Sequence, residues 1–248
     1  MGAQGVDDLR KPVLPGKGAT DYERYLRTDE LLALQKPVEE LAHPDELIFQ
    51  VVHQSSEVLM KGSVHDLTRA KQAMDEADFG NASRLIRRAN KIFDHTIELL
   101  RVLEMLTPYD YHIIRAQLGH GSGLDSPGFL ALLHLAPRLA ESFAAQVKVA
   151  GLTLEELYRR HHQLFNLHEL AEQLLDFDER MQVFRFLHLK LAERIIGPGV
   201  IGTSGVPVEI LKQRLQHNFF QELWDVRNDI TNRVNEERQK QMTGHGEQ

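Results

Sequence analysis

Residues 183–197 read VFRFLHLKLAERIIG, and this stretch decides the fold. Val183, Phe184, Leu187, Leu191, Ile195 and Ile196 recur at helical spacing, and His188 falls among them on the apolar face. Working outward, the same pattern extends back to Asn166 and predicts a long helix over 166–196, ended by the glycine-rich stretch Gly197 to Gly205. Helices are predicted over 152–165 and 128–148, preceded by a Gly/Ser-rich turn, 119–127, and a short segment, 109–118. Ile86, Ala89, Ile92, Phe93, Ile97, Leu100 and Leu103 mark a second long helix over 81–106, closed by Thr107-Pro108. A further long helix opens at Pro44-Asp45-Glu46, where proline and acids suit a first helical turn, and runs to about Asp78. Before it, Tyr25, Leu26, Leu31, Leu32 and Leu34 define an amphipathic helix from Thr20 that Pro37 ends. A last helix is predicted over 207–236. Alternating strand patterns and internal repeats are absent. The predicted fold is all-α, a helical bundle with two Gly-rich loops. One domain over 19–237 is expected, between a flexible arm, 1–18, and a disordered tail, 238–248.

Composition narrows the chemistry. With 248 residues, 42% hydrophobic and 26% charged, the chain is long enough to bury a substantial core. A net charge of −7 and the lack of a basic stripe argue against nucleic-acid binding, which needs cations to neutralise phosphates. Zero cysteines exclude disulfides, thiolate nucleophiles, iron–sulfur clusters, and thiolate-ligated or c-type heme. The first fifteen residues hold no apolar signal segment, and Phe129 to Leu139, the most apolar run, is far shorter than the roughly 20 residues of a membrane span. A cytoplasmic protein without membrane partners is expected.

Thirteen histidines in a chain without cysteine raise the possibility of a metal site. A di-iron bundle needs Glu-x-x-His from each of two helices, and only Glu40 to His43 fits, against Pro44 in a connection. The HExxH motif, a Walker A loop and a GxGxxG turn are all missing. Two histidines stand apart by their setting, His188 and His53, the latter in LIFQVVHQSSEVLMK on an apolar helix face. Either alone reads more readily as a hydrogen-bonded core histidine. Together they would suit a heme pocket, one on the iron and one over the open side. Spacing does not choose between these readings.

A resemblance does. Tyr22-Glu-Arg-Tyr25-Leu26 with Leu31-Leu32-Ala-Leu-Gln35 resembles the YxxYL…LLxxQ segment of tryptophan 2,3-dioxygenases. His53-Gln54-Ser-Ser-Glu57 with Lys61 is similar to that family's HQxxELWxK helix. Leu103-Glu104-Met-Leu-Thr107-Pro108, then Tyr111 and Ile114-Arg115-Ala-Gln-Leu118, resemble LETxTP and FRxxL. Gly121-Ser122-Gly123-Leu-Asp-Ser126 resembles the ASGFQS turn, Phe184 to His188 with Arg194 to Gly197 the proximal helix, and Phe219 to Arg227 the closing FFPELxxxR. Six blocks in one order span Tyr22 to Arg227.

The resemblance implies noncovalent heme b with His188 as axial iron ligand, O2 as co-substrate, and Ser122 and Gly123 beside the cofactor. It implies that His53 is the distal base near an indole N–H. Arg115 would hold the carboxylate of an aromatic amino acid in a bidentate pair, a task suited to its planar fork. Tyr111, Leu118 and Ser122 would line the same pocket, with Thr203 in the role of the threonine in the family's GTGGSSG loop. The family is a homotetramer in which the amino-terminal segment covers a neighbour's pocket, so Tyr22, Tyr25 and Leu26 would contact substrate in trans.

The sequence also departs from the family. Gly197 to Gly205 is about two residues shorter than the substrate loop and keeps one Gly-Thr-Ser-Gly; Ile114 replaces a Phe, SGFQS is SGLDS, and Leu59 stands for a Trp. Three functions are therefore carried forward: a dioxygenase of tryptophan or a derivative, of a kind suited to natural-product biosynthesis; a monooxygenase hydroxylating a methyltryptophan or tyrosine; and a heme sensor without turnover, against which the retained His53 and Arg115 weigh.

Overall fold

The computed structural model describes residues 11–200, 211, 212, 215 and 217–244. Among these every regular element is helical and no strand occurs, as the 3.6-residue period predicted. The backbone divides into two compact units, Met1–Val51 and Val52–Gln248.

The first unit carries α1 (Asp21–Leu26) and α2 (Thr28–Leu32), where the sequence predicted one helix. Thr20 and Glu23 form a reciprocal capping box at the start of α1. Arg27 then adopts φ 55° and ends the helix by donating its N–H to the Glu23 carbonyl. Neither helix buries a residue, so no packing holds them as one rod. Part of the predicted flexible arm is tied down: the Asp21 carboxylate accepts from Val13 and Leu14 N–H at 2.9 and 2.7 Å, and Arg24 donates to the Leu14 and Gly18 carbonyls. Residues 1–10 lie outside the described residues.

The second unit begins within α3 (Glu46–Asp75) and continues with α4 (Phe79–Leu103), capped by the Asp78 side chain. The predicted stripe on α4 is buried apart from Ile92, which is half-buried. The short segment 109–118 contains a helix, α5 (Pro108–Arg115), because Thr107 caps it and Pro108 takes the first position, where a missing N–H costs nothing. A 3₁₀ turn (Gly123–Asp125) leads into α6 (Pro127–Val149), capped by Ser126. That helix passes through Pro137, normally a penalty of roughly 3 kcal/mol. Burial of Leu132, Leu135, Ala136 and Leu139 around the proline offsets it.

The predicted helix over 152–165 is only α7 (Leu154–Arg159), started by a Thr153/Glu156 capping box. The chain turns before α8 (Phe165–Ile195), the predicted long helix carrying His188. The last helix, α9 (Gln221–Gly244), starts later than predicted and runs into the expected disordered tail. It starts late because buried Asp178 on α8 accepts from Phe219 and Phe220 N–H and from Trp224 Nε1 at 3.0–3.3 Å, holding the preceding residues out of the helix.

Among the described residues α4 packs extensively against α8. Phe93, Leu170, Leu174, Phe177 and Met181 are almost wholly buried in the core, each side chain stabilising by about 1.5–3 kcal/mol relative to exposure. Two polar links fix the register of the pair: Asn90 Nδ2 donates to the Gln173 carbonyl at 3.1 Å, and Arg180 pairs with Asp94 at 2.8 Å. No helix among the described residues is long and apolar enough to cross a membrane.

Asp66 on α3 is buried and paired with Arg88 on α4 by two 2.5 Å hydrogen bonds, chiefly by which its carboxyl is held below the ordinary 3.8. A depressed carboxyl contributes stability above its unfolded pKa and loses it as pH falls through the folded one. Asp66→Asn is therefore expected to be less stable than the parent above pH 3.8, with the gap closing as pH falls further below it. Urea midpoints across a pH series check this; a gap independent of pH would contradict the pairing.

Candidate functional site

A cavity of about 440 Å³ lies in the second unit, within the range of ligand pockets. Its described walls come from α3 (Val52, His53, Ser56, Glu57, Met60), α4 (Leu100, Leu103), the 3₁₀ turn and Ser126 (Gly123, Leu124), α6 (Phe129, Leu130, Leu133, Pro137), α8 (Phe184, Arg185, His188) and the segment before α9 (Leu211, His217, Phe219).

His188 enters the cavity from an aromatic row. Phe184 packs against Phe93 and Phe129 at ring separations of 5.5 and 5.1 Å, and the His188 ring lies parallel to Phe184, one helical turn on. Protein surrounds the imidazole closely while one side faces the cavity, so it is half-buried by surface exposure. Burial, with a smaller push from His53, holds it below the ordinary imidazole pKa. The neutral ring keeps the lone pair that a metal needs. The His188 imidazole has no hydrogen-bond partner among the described residues. The side of the ring toward the 3₁₀ turn is kept bare by a glycine: a Cβ at Gly123 would sit 3.3 Å from His188 Nε2.

These features fit a heme. Among the described residues no group of three or more His, Asp or Glu could hold a metal ion. A metal taken by one histidine must bring its other ligands, as a porphyrin does, and the largely apolar walls suit a macrocycle. His53, which the sequence placed on an apolar helix face, is exposed and lines the cavity, which puts it at the mouth.

The loop facing His188 is latched to α3. Glu57 accepts from Ser126 Oγ and, at 2.9 Å, from Gly128 N–H. Ser126 Oγ in turn accepts from Phe129 N–H at 3.1 Å, so one carboxylate and one hydroxyl satisfy the open end of α6.

Residues 8–142 match the family model described as tryptophan 2,3-dioxygenase. The chain is 31% identical to the tryptophan 2,3-dioxygenase of Exiguobacterium sibiricum, 32% to that of Bacillus thuringiensis and 30% to that of Serratia proteamaculans, each match covering 84% of this chain and 92% of the relative. The chain belongs to the tryptophan 2,3-dioxygenase family.

Of the residues the family resemblance implied, His53, Gly123 and His188 meet at the cavity. Tyr111, Arg115 and Leu118 lie half-buried on α5 and the following turn, and Ser122 caps the 3₁₀ turn by accepting from Leu124 N–H at 3.2 Å; none of the four is among the described lining residues. Tyr22, Tyr25 and Leu26 are exposed on α1, and Thr203 lies outside the described residues. Sequence reasoning missed Glu57, Ser126, Arg185 and His217 as site residues. Two carried a usable signal: Glu57 is four residues after His53 and Arg185 three before His188, spacings that share a helix face.

The latch leaves no room beside it, since a Cβ at Gly128 would lie 2.7 Å from Glu57 Oε2 and 2.9 Å from Met60 Cβ. Gly128→Ala is expected to lower unfolding free energy by about 1–3 kcal/mol through overpacking. Denaturant melts measure this, and an unchanged midpoint would mean that the loop adjusts without cost.

Proposed function

We propose that this protein is a heme-dependent oxygenase that uses O2 to dioxygenate the indole ring of tryptophan. The observation that carries the reading is His188: an imidazole without a hydrogen-bond partner among the described residues, beside a glycine that leaves its Nε2 bare, in an apolar cavity of a tryptophan 2,3-dioxygenase family member. Noncovalent heme b would be held by His188, with Gly123, and Ser122 through its cap, shaping the loop beside it. When bound, heme supplies the redox-active iron that activates O2.

The chain's own residues do the rest. The walls built by Leu100, Leu103, Phe129, Leu130 and Leu133 exclude water and receive a flat apolar ring. His53, at the mouth, is suited to accept or orient the proton of an indole N–H. Arg115 would pair with the substrate carboxylate, with Tyr111, Leu118, Ser122 and Thr203 around it. Across a homotetramer, Tyr22, Tyr25 and Leu26 would reach a neighbour's pocket; their exposure in the single chain supports this, at 69%, 78% and 45%. A cytoplasmic setting agrees with the composition, and residues 19–237 would act as one oxygenase domain.

His188→Ala is expected to purify without heme, read from the Soret band, whereas full occupancy in that variant would remove the ligand assignment. Arg115→Ala should retain heme and bind tryptophan about ten- to a hundredfold more weakly, the worth of a lost charge-assisted contact. The reaction itself is tested by mass spectrometry of the product formed from tryptophan under labelled O2. Two label atoms are expected; one would establish hydroxylation instead. Light scattering should give the mass of a tetramer, and a monomer at micromolar concentration would contradict the trans contacts.

A further inference from the structure

Building on the heme reading above, we propose that Glu57 is a positioning residue of the cavity. Acting through Ser126 and Gly128, it sets how closely the turn at Gly123 approaches Nε2 of His188, and so the space a heme finds there. The chain of contacts is short. Each carboxylate oxygen of Glu57 takes one donor, Ser126 Oγ on one and Gly128 N–H, at 2.9 Å, on the other. Ser126 N–H donates in turn to the Gly123 carbonyl at 3.4 Å, which closes the 3₁₀ turn directly onto the latched residue. A carboxylate on α3 thereby reaches, through Ser126 alone, the glycine where a Cβ would sit 3.3 Å from His188 Nε2.

Starting α6 does not require Glu57. Ser126 Oγ already caps the helix by accepting from Phe129 N–H at 3.1 Å, the ordinary task of an N-cap serine. The carboxylate adds a tie to a different helix, across 69 and 71 residues of sequence. That helix also carries His53 four residues earlier, a spacing that places both on one face, and both line the cavity. Two glycines make room for the arrangement. A Cβ at Gly128 would lie 2.7 Å from Glu57 Oε2, as one at Gly123 would crowd His188. Residues 123–128 are therefore in close approach to α3 at one end and to His188 at the other.

The latch bears on His188 by a second route. Phe129, whose N–H Ser126 holds, stacks on Phe184 at 5.1 Å, and the Phe184 ring lies parallel to His188. One carboxylate thus links the helix of His53 to both the turn and the aromatic row beside His188.

The test asks whether the latch decides what a side chain at position 123 does. Gly123 has no positive φ, so alanine there adds crowding and not backbone strain. The parent, Gly123→Ala, Glu57→Ala and the double variant are titrated with iron protoporphyrin IX, read at the Soret band. With Glu57 present, Gly123→Ala should weaken heme binding roughly five- to a hundredfold, the overpacking of a held contact expressed as affinity. With Glu57→Ala the turn can withdraw, and the same substitution should weaken heme by less than about twofold, a non-additivity expected of groups that share partners. Glu57→Gln keeps an oxygen for Gly128 N–H and an amide donor for Ser126 Oγ, so beside it Gly123→Ala should again be damaging. Asp66→Asn, which breaks an ion pair further along α3, is the control for lost stability and should leave the Gly123→Ala effect at its parent value. Equal factors with and without Glu57, or no effect of Gly123→Ala in the parent, overturn the proposal. So does relief by Asp66→Asn as large as that by Glu57→Ala. Should the double variant fail to fold, Ser126→Ala combined with Gly123→Ala takes its place, and equal factors there overturn the proposal as well. A parent that takes up no heme overturns the heme reading and this proposal together, whereas a heme-binding parent with equal factors overturns the proposal alone.

Discussion

The cavity wall depends on one buried carboxylate. Asp178 sits at zero exposure in the middle of α8, and Phe219 N–H, Phe220 N–H and Trp224 Nε1 surround it. An ionised carboxylate stripped of water without such donors would cost several kcal/mol, so the segment before α9 cannot drift from α8 without exposing or orphaning it. The same contact sets the rotation of α8 about its own axis. Arg185 and His188 follow Asp178 by seven and ten residues, about two and three turns later on one face. Anchoring Asp178 against Phe219 thus aims both residues at the side where the cavity lies.

Another part of the wall is fixed by a second carboxylate used differently. Glu57 does not anchor a chain end; it closes the start of α6 from another helix, through Ser126 Oγ and Gly128 N–H. Gly123, in the turn just before, faces His188 Nε2 closely enough that any side chain would crowd it. The turn is stiffened internally: Ser122 Oγ accepts from Leu124 N–H at 3.2 Å, and the Asp125 carboxylate accepts from Ser122 N–H at 3.0 Å. A short, doubly capped turn latched at one end keeps its distance from the histidine more constant than a free glycine-rich loop could. The glycines here serve close approach, and the polar side chains supply the rigidity that glycine lacks.

The long helices and the apolar setting of His188 were legible in the sequence because both follow from periodicity, whereas the role of His188 came from the family resemblance. α4 and α8 bury a continuous apolar stripe, and a stripe leaves its spacing in the chain. The errors fall where no stripe exists. α1 and α2 bury nothing, so an αL residue at Arg27 could split a run that looked like one helix. His217 was hidden inside a predicted helix, because the Asp178 contacts that unwind residues before Gln221 join positions about forty residues apart. Arg185 was visible as part of a motif, but its place in the cavity wall is set by the Phe219 ring and the His217 carbonyl, which lie far from it in sequence. The roles of Tyr111 and Arg115 came from family resemblance alone, and the described lining of the cavity adds nothing to them.

One disagreement between sequence and structure is itself informative. The pattern Tyr25, Leu26, Leu31, Leu32 and Leu34 is amphipathic, and amphipathic helices carry that pattern in order to bury it. Yet all five are at least 45% exposed, and the only buried residue described in Met1–Val51 is Glu46, paired with Lys36 at 2.7 Å. A unit whose described core is an ion pair has little apolar burial of its own to offset the entropy of ordering its backbone. Exposed apolar residues clustered in one short stretch of chain are what a contact surface is made from. The pattern is then correctly read as a signal for burial, with the burying surface supplied by something other than α1 and α2 themselves. The proposed tetramer, with this segment on a neighbour, would provide that surface at each of its four copies and so join assembly to the completion of a pocket.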